Sequence, residues 1–247
     1  MLNLSILVCT KNSSQTILSC LNSALPIMEV GAELILVDGH SHDNTITLVL
    51  EFLKTHHIYH YKLISQLNDG LYEAFNLSIL NANRNKLLFL HSDDVLKNSH
   101  TIMSDVQNSK ADIVFYGIEI EGAYFRRKWL LKNFSSINIR SMNIPPHTGI
   151  LVNRNVYSKV GIFSTEYKIS ADFEWMLRLL NTKNLSFDFS KDITYKMNAG
   201  GVSNSGYFSE LTKFVEDIKV LKSLGIRLPF FKVVRKKINK LFQFERI

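Results

Sequence analysis

Strand and helix signals alternate over the first ninety residues, and this alternation restricts the folds that the chain can adopt. Short β-rich apolar runs are separated by segments whose apolar residues recur at helical spacing. The predicted strands span residues 4–9, 33–37, 58–64 and 86–90. Buried strands that are joined by helices form a parallel sheet with helices on both faces. We therefore predict an α/β fold with a Rossmann-like, mostly parallel sheet flanked by helices.

The pattern becomes less regular after residue 110. We expect further strands at 112–117, 119–127, 148–152, 185–189 and 193–197, and helices at 154–160, 172–180 and 208–224. Residues 128–146 lack periodicity and end in two prolines, which indicates a loop. A last, basic helix is expected to begin at Pro229, because proline is favoured in the first turn of a helix.

Composition excludes several classes of protein. The two cysteines, Cys9 and Cys20, cannot form a disulfide framework or a four-ligand zinc site, and we expect buried thiols in a reducing compartment. The chain opens on an apolar strand without a preceding basic segment, so no signal peptide is expected. No uninterrupted apolar run approaches the ~18 residues of a transmembrane helix.

The net charge of +7 is carried mainly by the C-terminal tail, because residues 227–247 contain seven Lys or Arg residues and one Glu. A non-enzymatic nucleic-acid-binding module is one interpretation of such a basic chain. These modules need a basic groove with interleaved stacking aromatics, however, whereas the charge here forms a terminal segment. We therefore expect no nucleic acid partner.

Polar residues follow each of the first four predicted strands. In a parallel α/β sheet, ligands bind at the carboxyl ends of the strands. These positions hold, in chain order, residues 10–12, 38–41, 66–70 and 91–94. A purely structural protein has no need for polar side chains at all four places, so we expect a binding site at this edge of the sheet.

Two adjacent carboxylates, Asp93 and Asp94, follow the fourth strand. Neighbouring carboxylates at the end of a buried strand repel each other and lose solvation unless a cation compensates. Oxygen ligands of this kind suit Mg²⁺ or Mn²⁺, especially beside a diphosphate. The alternative is that both residues face the N-terminal dipole of the next helix. This motif alone does not separate the two interpretations.

Two other carboxylates occupy positions where a site would need them. Asp38 follows a buried strand and can accept hydrogen bonds from a nucleobase or a ribose, although a simple turn is the alternative. We assign the neighbouring Ser41, Asp43 and Thr45 mainly to the turn and to the cap of the next helix. Asp172 begins a predicted helix, either as its cap or as a general base at the edge of a cleft.

The absence of glycine after the first predicted strand argues against two classes of nucleotide-binding enzyme. Dinucleotide-binding oxidoreductases and P-loop hydrolases need a glycine-rich turn after the first strand, and residues 10–14 contain no glycine. A sugar nucleotidyltransferase is a rival with a similar sheet and metal carboxylate. It normally needs a glycine-rich, basic loop at the same place, for which Lys11 alone is a poor substitute. The pair Gly200 and Gly201 permits close backbone approach or a mobile loop and is weak alone.

Taken in order, five motifs resemble the family-two inverting glycosyltransferases with the GT-A fold, and most nearly those that build bacterial surface polysaccharides. The motifs are ELILVDGHSHDNT, SQLNDGLYEAFNLSI, LLFLHSDD, PPHTGILVNRNVYSKVGIF and SADFEWMLRL. The likeness runs over residues 4–203. Each motif is moderately specific, and five in the expected order and spacing make a strong match.

The resemblance implies a role for each matched position in the donor half. Asp38 would contact the nucleobase, usually uracil, and Thr10 and Asn12 would line the same pocket. Asp93, together with Asp94, would hold Mn²⁺ or Mg²⁺ on the diphosphate of the nucleotide sugar.

The reacting groups are implied to lie in the second half of the chain. Asp172 would be the catalytic base, and His147 would lie near the donor sugar or the diphosphate. A loop containing Gly200, Gly201 and Ser203 would border the acceptor.

Some positions depart from the family pattern. His91 stands where the family often has Asp or Asn, and it would either ligate the metal or support Asp93. Asn68 replaces the usual carboxylate of the second motif, with Asp69 next to it, and Glu73 replaces the usual Asp. These changes leave the contacts to the donor sugar open.

The resemblance implies transfer of a sugar, usually UDP-linked, to a glycan or lipid-linked oligosaccharide, with inversion, at the cytoplasmic face of a bacterial membrane. We expect a GT-A domain over residues 1–206, with a nucleotide-sugar half up to about residue 110 and an acceptor half over 111–206. A basic helical extension over residues 207–247 would follow.

Apolar residues of the tail recur at helical spacing, and the basic residues fall largely between them. The apolar set is Phe231, Val234, Ile238, Leu241 and Phe242. A basic amphipathic helix suits an anionic membrane surface, so we expect residues 229–247 to dock on the inner leaflet. The alternative is that the apolar face packs on the domain or on a second copy of the chain in a homo-oligomer.

Overall fold

The computed structural model describes residues 1–67, 69–122, 125–131, 133–134, 137–140, 142–198, 207–241 and 244–246. The strands within these ranges are β1 (Leu4–Thr10), β2 (Glu33–Asp38), β3 (Tyr61–Ser65), β4 (Lys86–Phe89), β5 (Val95–Leu96), β6 (Ile113–Glu121), β7 (Phe125–Trp129), β8 (Ile150–Asn153), β9 (Phe187–Asn198) and β10 (Phe244–Arg246). The helices are α1 (Ile17–Glu29), α2 (Thr45–Thr55), α3 (Leu71–Asn81), α4 (Ser99–Asn108), α5 (Asn155–Val160), α6 (Ala171–Asn181), α7 (Tyr207–Ser223) and α8 (Pro229–Leu241).

The strands form one mixed sheet in the order β10-β7-β6-β8-β4-β1-β2-β3. The predicted parallel arrangement of the first four strands is confirmed, since β1 pairs in parallel with β2 and β4, and β2 with β3. Antiparallel β8 lies between β4 and β6, and β9 pairs with both β5 and β6. The sheet therefore continues from the first half of the sequence into the second half.

Two apolar cores lie on opposite faces of this sheet. Every residue of β1 and β2 is buried, and successive side chains point to opposite faces, as the two-residue period of a strand requires. Leu7 and Val37 belong to the core that α3, α5, α6, α7 and α8 cover. Ile6 and Leu36 belong to the core under α1, α2 and α4. Continuous apolar runs were the correct signal for strands covered on both sides.

The strand predictions after residue 110 need two corrections. The segment 119–127 is not one strand, because β6 continues to Glu121 and pairs antiparallel with β7. Gly122 directly follows β6, where the chain reverses direction. Glycine weakens the interior of a strand, so its presence here fits a turn better than a continuous strand. Segments 185–189 and 193–197 belong to one strand, β9, whose pairing with β6 shifts register around Gly117. A Cβ at Gly117 would lie 2.7 Å from the Asp192 carbonyl oxygen, so this close approach requires glycine.

The C-terminal helices pack on the body of the protein. Helix α7 contacts α6, and α8 contacts α7, with Val233 of α8 fully buried. Strand β10, which the sequence pattern did not predict, pairs antiparallel with β7. Across the helices described by the structure, none combines the length and apolarity needed to cross a bilayer.

Candidate active site

The carboxyl ends of the parallel strands meet at one edge of the sheet, as predicted. The amide of Gly39 donates to the carbonyl of Thr10 at 2.8 Å, and the amide of Gln66 donates to the carbonyl of Asp38 at 2.9 Å. These bonds continue the strand pairing into the loops. The loops after β1, β2 and β3 therefore start from fixed positions.

Asp38 is the centre of a hydrogen-bond network that joins two of these loops. Its carboxylate accepts the amide of Ser41 at 3.0 Å and the hydroxyl of Ser41 at 2.6 Å. The Ser41 hydroxyl oxygen accepts the amide of Asn12 at 2.8 Å, and the Asn12 side-chain oxygen accepts the amide of His42 at 2.8 Å. The hydroxyl of Thr10 is buried and has no hydrogen-bond partner within the described residues. Asp38, Asn12 and Thr10 thus lie in one pre-organised region.

Asp43 supports this region from the helix side. Its carboxylate accepts the amide of Ser14, and both the amide and the hydroxyl of Thr45. The hydroxyl of Thr45 holds the pKa of the Asp43 carboxyl well below its usual range. These contacts agree with the assignment of Asp43 and Thr45 to the loop and the start of α2.

The region after β3 is less enclosed. Asp69 forms an ion pair with Lys11 at 3.1 Å, with both side chains largely exposed. Gly70 has a φ of 144°, and the carboxylate of Glu73 fills the space that a Cβ at Gly70 would need. Asn68 lies outside the described residues. The exposed Lys11–Asp69 pair joins this loop to the one after β1.

The two adjacent carboxylates after β4 have different environments. Asp94 is 2% exposed. Burial, and then the charge of Asp94, raise the pKa of the Cys20 thiol and of the Tyr195 hydroxyl. Burial, and then the neighbouring Asp93, raise the pKa of Asp94 to about 8. One oxygen of Asp94 is buried without a hydrogen-bond partner among the described residues. Asp93, by contrast, is partly exposed.

These carboxylates are compatible with a divalent cation that is shared with a diphosphate. Within the described part of the chain, no group of three or more His, Cys, Asp or Glu side chains is arranged to hold a metal ion alone. Mg²⁺ beside a nucleotide is usually held by one or two carboxylates together with phosphate oxygens, so this does not conflict with the family pattern. The unpaired buried oxygen of Asp94 and the partly exposed Asp93 are the groups that such an ion would satisfy.

Asp172 occupies the second position of α6, and its carboxylate is held on both oxygens. One oxygen accepts the amide of Phe173 at 2.7 Å and the hydroxyl of Tyr72 at 3.4 Å. The other lies 3.2 Å from Nδ1 of His147. The side chain of Asp172 is 28% exposed, so the carboxylate is oriented by the protein and still accessible.

Asp172 is kept ionised despite its environment. Burial opposes ionisation, but the hydrogen bond and charge of His147, followed by the charges of Lys213 and Lys236, hold the pKa of Asp172 well below its usual range. A carboxylate of this kind is fully deprotonated at neutral pH. It can accept a proton from a hydroxyl group whose acidity rises as its oxygen forms a bond.

Two histidines connect Asp172 to the strand that carries the carboxylate pair. Nε2 of His91 lies 3.1 Å from Nε2 of His147 and 3.2 Å from the hydroxyl of Thr148. Phe75 packs against both imidazole rings. Burial, and then His147, lower the pKa of His91 to about 3, so His91 is neutral at pH 7. With Asp172 ionised, Nδ1 of His147 must carry a proton and donate it to the carboxylate.

The structure brings most of the predicted site residues to one edge. His91, His147 and Asp172 form a continuous hydrogen-bonded chain. The hydroxyls of Ser13 and Ser92 lie 2.9 Å apart and connect the Asp38 region with the loop of Asp93. Four predicted site residues lie outside the described residues, namely Asn68, Gly200, Gly201 and Ser203.

Sequence reasoning missed three residues around Asp172. Tyr72 lies in a recognised motif, but only the structure shows its hydroxyl against Asp172 and the carbonyl of Ile169. Thr148 contacts His91. Glu216 binds the loop before Asp172, and no local sequence signal distinguishes it from the other acidic residues of α7.

A family model for glycosyl transferase family 2 matches residues 5–177, which include the Asp38, Asp93 and Asp172 positions. The chain belongs to glycosyl transferase family 2. This assigns it to the transferases and confirms the resemblance inferred from the five motifs. Helices α7 and α8 lie beyond the matched residues.

The similar proteins include a glycosyltransferase and a protein whose structure contains a nucleotide sugar. A PGL/p-HBAD biosynthesis glycosyltransferase of Mycobacterium tuberculosis is 26% identical over 232 residues, covering 91% of this chain and 87% of the relative. The structure of S. aureus TarS 1–349 in complex with UDP-GlcNAc matches with a TM-score of 0.68 at 19% identity, over 89% of this chain. The match covers 65% of that 1–349 segment.

A second solved structure extends the comparison of folds. The mannosyltransferase PcManGT from Pyrobaculum calidifontis, in complex with GDP-Man and Mn²⁺, matches with a TM-score of 0.62 at 14% identity, over 96% of this chain and 73% of that one. These likenesses confirm the GT-A fold, which the motifs implied.

Proposed function

We propose that this glycosyltransferase moves a sugar from a UDP-linked donor to a glycan or lipid-linked oligosaccharide, with inversion, in bacterial surface polysaccharide biosynthesis. The observation that carries the proposal is the chain from His91 through His147 to Asp172. Through this chain, an ionised, accessible carboxylate is connected to the loop after β4, which contains Asp93. Single displacement needs a base on one side of the anomeric carbon and a site for the leaving diphosphate on the other.

In the proposed reaction, Asp172 accepts a proton from the acceptor hydroxyl as that oxygen attacks the anomeric carbon. The bond from this carbon to the nucleoside diphosphate breaks on the opposite face, and the configuration inverts. The Asp172 carboxylate is held by Tyr72 and His147, so its lone pairs are aligned before the acceptor binds. Asp93 and Asp94 would hold Mn²⁺ or Mg²⁺, which supplies positive charge to the departing diphosphate when bound.

The donor would bind over the loops after β1 and β2. Asp38 uses two bonds to Ser41, and a carboxylate offers about four lone-pair positions, so it retains capacity for a nucleobase N–H. Asn12 and Thr10 lie beside it. On this proposal, residues up to about 110 form the nucleotide-sugar half and residues 111–206 the acceptor half of the domain. UDP is chosen over GDP from the family pattern, while the TarS structure contains UDP-GlcNAc and the PcManGT structure contains GDP-Man.

Residues 229–247, the last part of the helical extension over 207–247, would bring the enzyme to the inner face of the cell membrane, where lipid-linked acceptors are elongated. Helix α8 buries Val233 and pairs Lys236 with Asp217 of α7 at 2.8 Å. Phe231 and Ile238 lie on another face and are 66% and 47% exposed. One face thus packs on the domain, while part of the predicted apolar face remains available to a peripheral membrane contact or to a second copy of the chain.

A screen of nucleotide sugars tests the proposed reaction. The protein is incubated with Mn²⁺, a panel of UDP-, GDP- and TDP-sugars, and short oligosaccharide acceptors, and NMR assigns the anomeric configuration of each product. We expect transfer from a UDP-sugar with inverted configuration. Retained configuration would contradict the single displacement. Formation of pyrophosphate from UTP and a sugar phosphate would instead favour the nucleotidyltransferase rival.

A further inference from the structure

A buried carboxylate on α7 binds the loop that leads into the candidate base. Glu216 is 7% exposed, and its carboxylate accepts the backbone amides of Lys168, Ile169 and Ser170, each at 2.9 Å. These are three consecutive residues, and Asp172 follows two positions later. Hydrogen bonds from backbone amides to a charged acceptor are stronger than neutral ones, so this contact determines the path of the loop.

The same loop is held from its other side by Tyr72. The Tyr72 hydroxyl donates to the carbonyl of Ile169 at 2.5 Å and also lies within 3.4 Å of Asp172. Ile169 is therefore fixed at its amide by Glu216 and at its carbonyl by Tyr72.

The residue after Glu216 adds a second connection between the C-terminal helices and α6. Asp217 forms an ion pair with Lys236 of α8 at 2.8 Å. The Lys236 ammonium group lies 3.4 Å from the ring centre of Phe173, the residue next to Asp172. Glu216 thus holds the segment before Asp172 directly. Asp217 contacts the residue after Asp172 indirectly, through Lys236.

We propose that Glu216 is a positioning residue for the catalytic base, and that the C-terminal helices beyond the family-matched region complete the catalytic centre. Glu216 fixes the Lys168–Ser170 backbone, and this backbone sets where the Asp172 carboxylate meets the acceptor hydroxyl. Asp217 and Lys236 hold the neighbouring turn of α6. The inference rests on the proposed role of Asp172 and adds a residue that acts only through it.

The donor site should be independent of this contact. Asn12 and Asp93 lie in the loops after β1 and β4, and Asp38 is the last residue of β2. The hydrogen-bond partners of Glu216 lie instead in the loop before α6. A loss of Glu216 should therefore lower kcat while the KM for the donor and the affinity for UDP stay close to wild type. A general loss of structure would change all three quantities.

Glu216→Gln is the appropriate variant because it keeps the shape of the side chain. A glutamine offers one acceptor oxygen and one amide group, and that amide would face a backbone N–H that needs an acceptor. We expect kcat to fall by roughly 10²-fold, the loss that a displacement of about 1 Å can cause. Glu210→Gln is the matched control on the same helix, since Glu210 pairs with Lys237 at the surface, and its activity should be near wild type.

A double-mutant cycle with Asp172→Asn separates positioning from structural damage. If Glu216 acts through Asp172, adding Glu216→Gln to Asp172→Asn should cause little further loss, because the base that it positions is already absent. Multiplicative losses in the double variant, or a weaker UDP affinity in Glu216→Gln, would overturn the inference. If Glu216→Gln does not fold, Glu216→Asp, which keeps the charge and shortens the reach, is used in the same cycle with the same criteria.

The outcome also distinguishes the inference from the proposed function. Full activity of Asp172→Asn would refute the base assignment, and with it the role of Glu216. Loss of activity in Asp172→Asn together with normal kcat in Glu216→Gln would refute only the positioning role. Coupled losses of kcat, at constant UDP affinity and with Glu216→Gln still folded at the assay temperature, would support both.

Discussion

Nδ1 of His147 lies 3.2 Å from a carboxylate oxygen of Asp172, and the two side chains differ in exposure, at 10% and 28%. Histidine is the more frequent general base in enzymes, so this pair admits two assignments. The exposure favours Asp172 as the proposed base, because the more accessible carboxylate can reach an acceptor hydroxyl. The imidazole is enclosed by Phe75, Phe89 and Phe163 and serves to orient the carboxylate.

Asp172→Asn should keep the fold and the affinity for UDP but lose most transfer activity. The asparagine can still accept the Phe173 amide, yet it cannot take a proton from the acceptor. General-base assistance contributes about 10²- to 10⁴-fold in rate, so kcat should fall within that range. Steady-state kinetics and UDP calorimetry on the same preparation measure both quantities. Transfer near the wild-type rate would show that another group accepts the proton.

His147→Ala should raise the pKa of Asp172, because the hydrogen bond and charge of His147 help to hold it down. The base is active when deprotonated, so the acidic limb of the kcat/KM profile should move to higher pH. His147→Asn is the matched control, since its amide can donate to the carboxylate, and it should shift the limb less. An acidic limb that is the same in all three proteins would exclude this coupling.

The first half of the fold could be predicted from the sequence because its signal is local. Strands such as β1 and β2 are largely apolar and buried along their whole length, and the polar residues that end them mark the edge of the site. The prediction of one strand over 119–127 was wrong because β-forming residues lie on both sides of the reversal at Gly122. Contacts such as Glu216 with Ile169 join residues 47 positions apart, and no periodicity or spacing encodes them.

Asp38→Ala and Asp93→Ala should weaken nucleotide binding in different ways. Loss of a hydrogen bond to a charged group costs about 1.5–3 kcal/mol, so Asp38→Ala should reduce UDP affinity roughly tenfold or more with or without metal. Asp93→Ala should abolish the increase in UDP affinity that Mn²⁺ produces. Calorimetry with Mn²⁺ and with EDTA measures both effects, and Asp172→Asn serves as the control. If the wild-type protein bound UDP equally well with Mn²⁺ and with EDTA, the proposed role of the metal would be contradicted.

Glu33 provides a stability test remote from the site. Its buried carboxylate accepts the hydroxyl of Ser5 at 2.5 Å and both the amide and side-chain nitrogen of Asn83. Burial acts against ionisation, but these bonds and the charge of Lys62 hold the pKa of Glu33 below its usual value. A carboxyl with a lowered pKa stabilises the fold above its unfolded pKa of about 4.3, and this contribution disappears as the pH falls through the folded pKa.

Glu33→Gln should therefore cost about 1–3 kcal/mol at pH 7, the range for leaving buried polar groups unsatisfied. The difference in unfolding free energy from wild type should shrink as the pH is lowered below 4. Urea unfolding at a series of pH values gives this difference, and Glu51→Gln, at an exposed position of α2, is the control. A difference that stays constant over the whole range would mean that the Glu33 carboxylate is not the source of the stability.

The exposed face of α8 gives a test of membrane docking that does not require removal of the helix. Deleting residues 229–247 would also remove Lys236 from Phe173 and Val233 from the core, so a loss of activity would be ambiguous. The double variant Phe231→Ser with Ile238→Ser changes only exposed side chains. Full burial of such side chains is worth about 1.5–3 kcal/mol each, so partitioning onto anionic liposomes should weaken at least tenfold.

Leu50→Ser with Leu80→Ser is the matched control, since these residues are 45% and 65% exposed on α2 and α3. The control should bind liposomes like the wild-type protein, and both double variants should transfer sugar to a short soluble acceptor at the normal rate. Equal liposome binding by all three proteins would contradict docking through α8. A wild-type dimer that the Phe231 and Ile238 substitutions convert to monomer, without any liposome binding, would instead assign this face to a second copy of the chain.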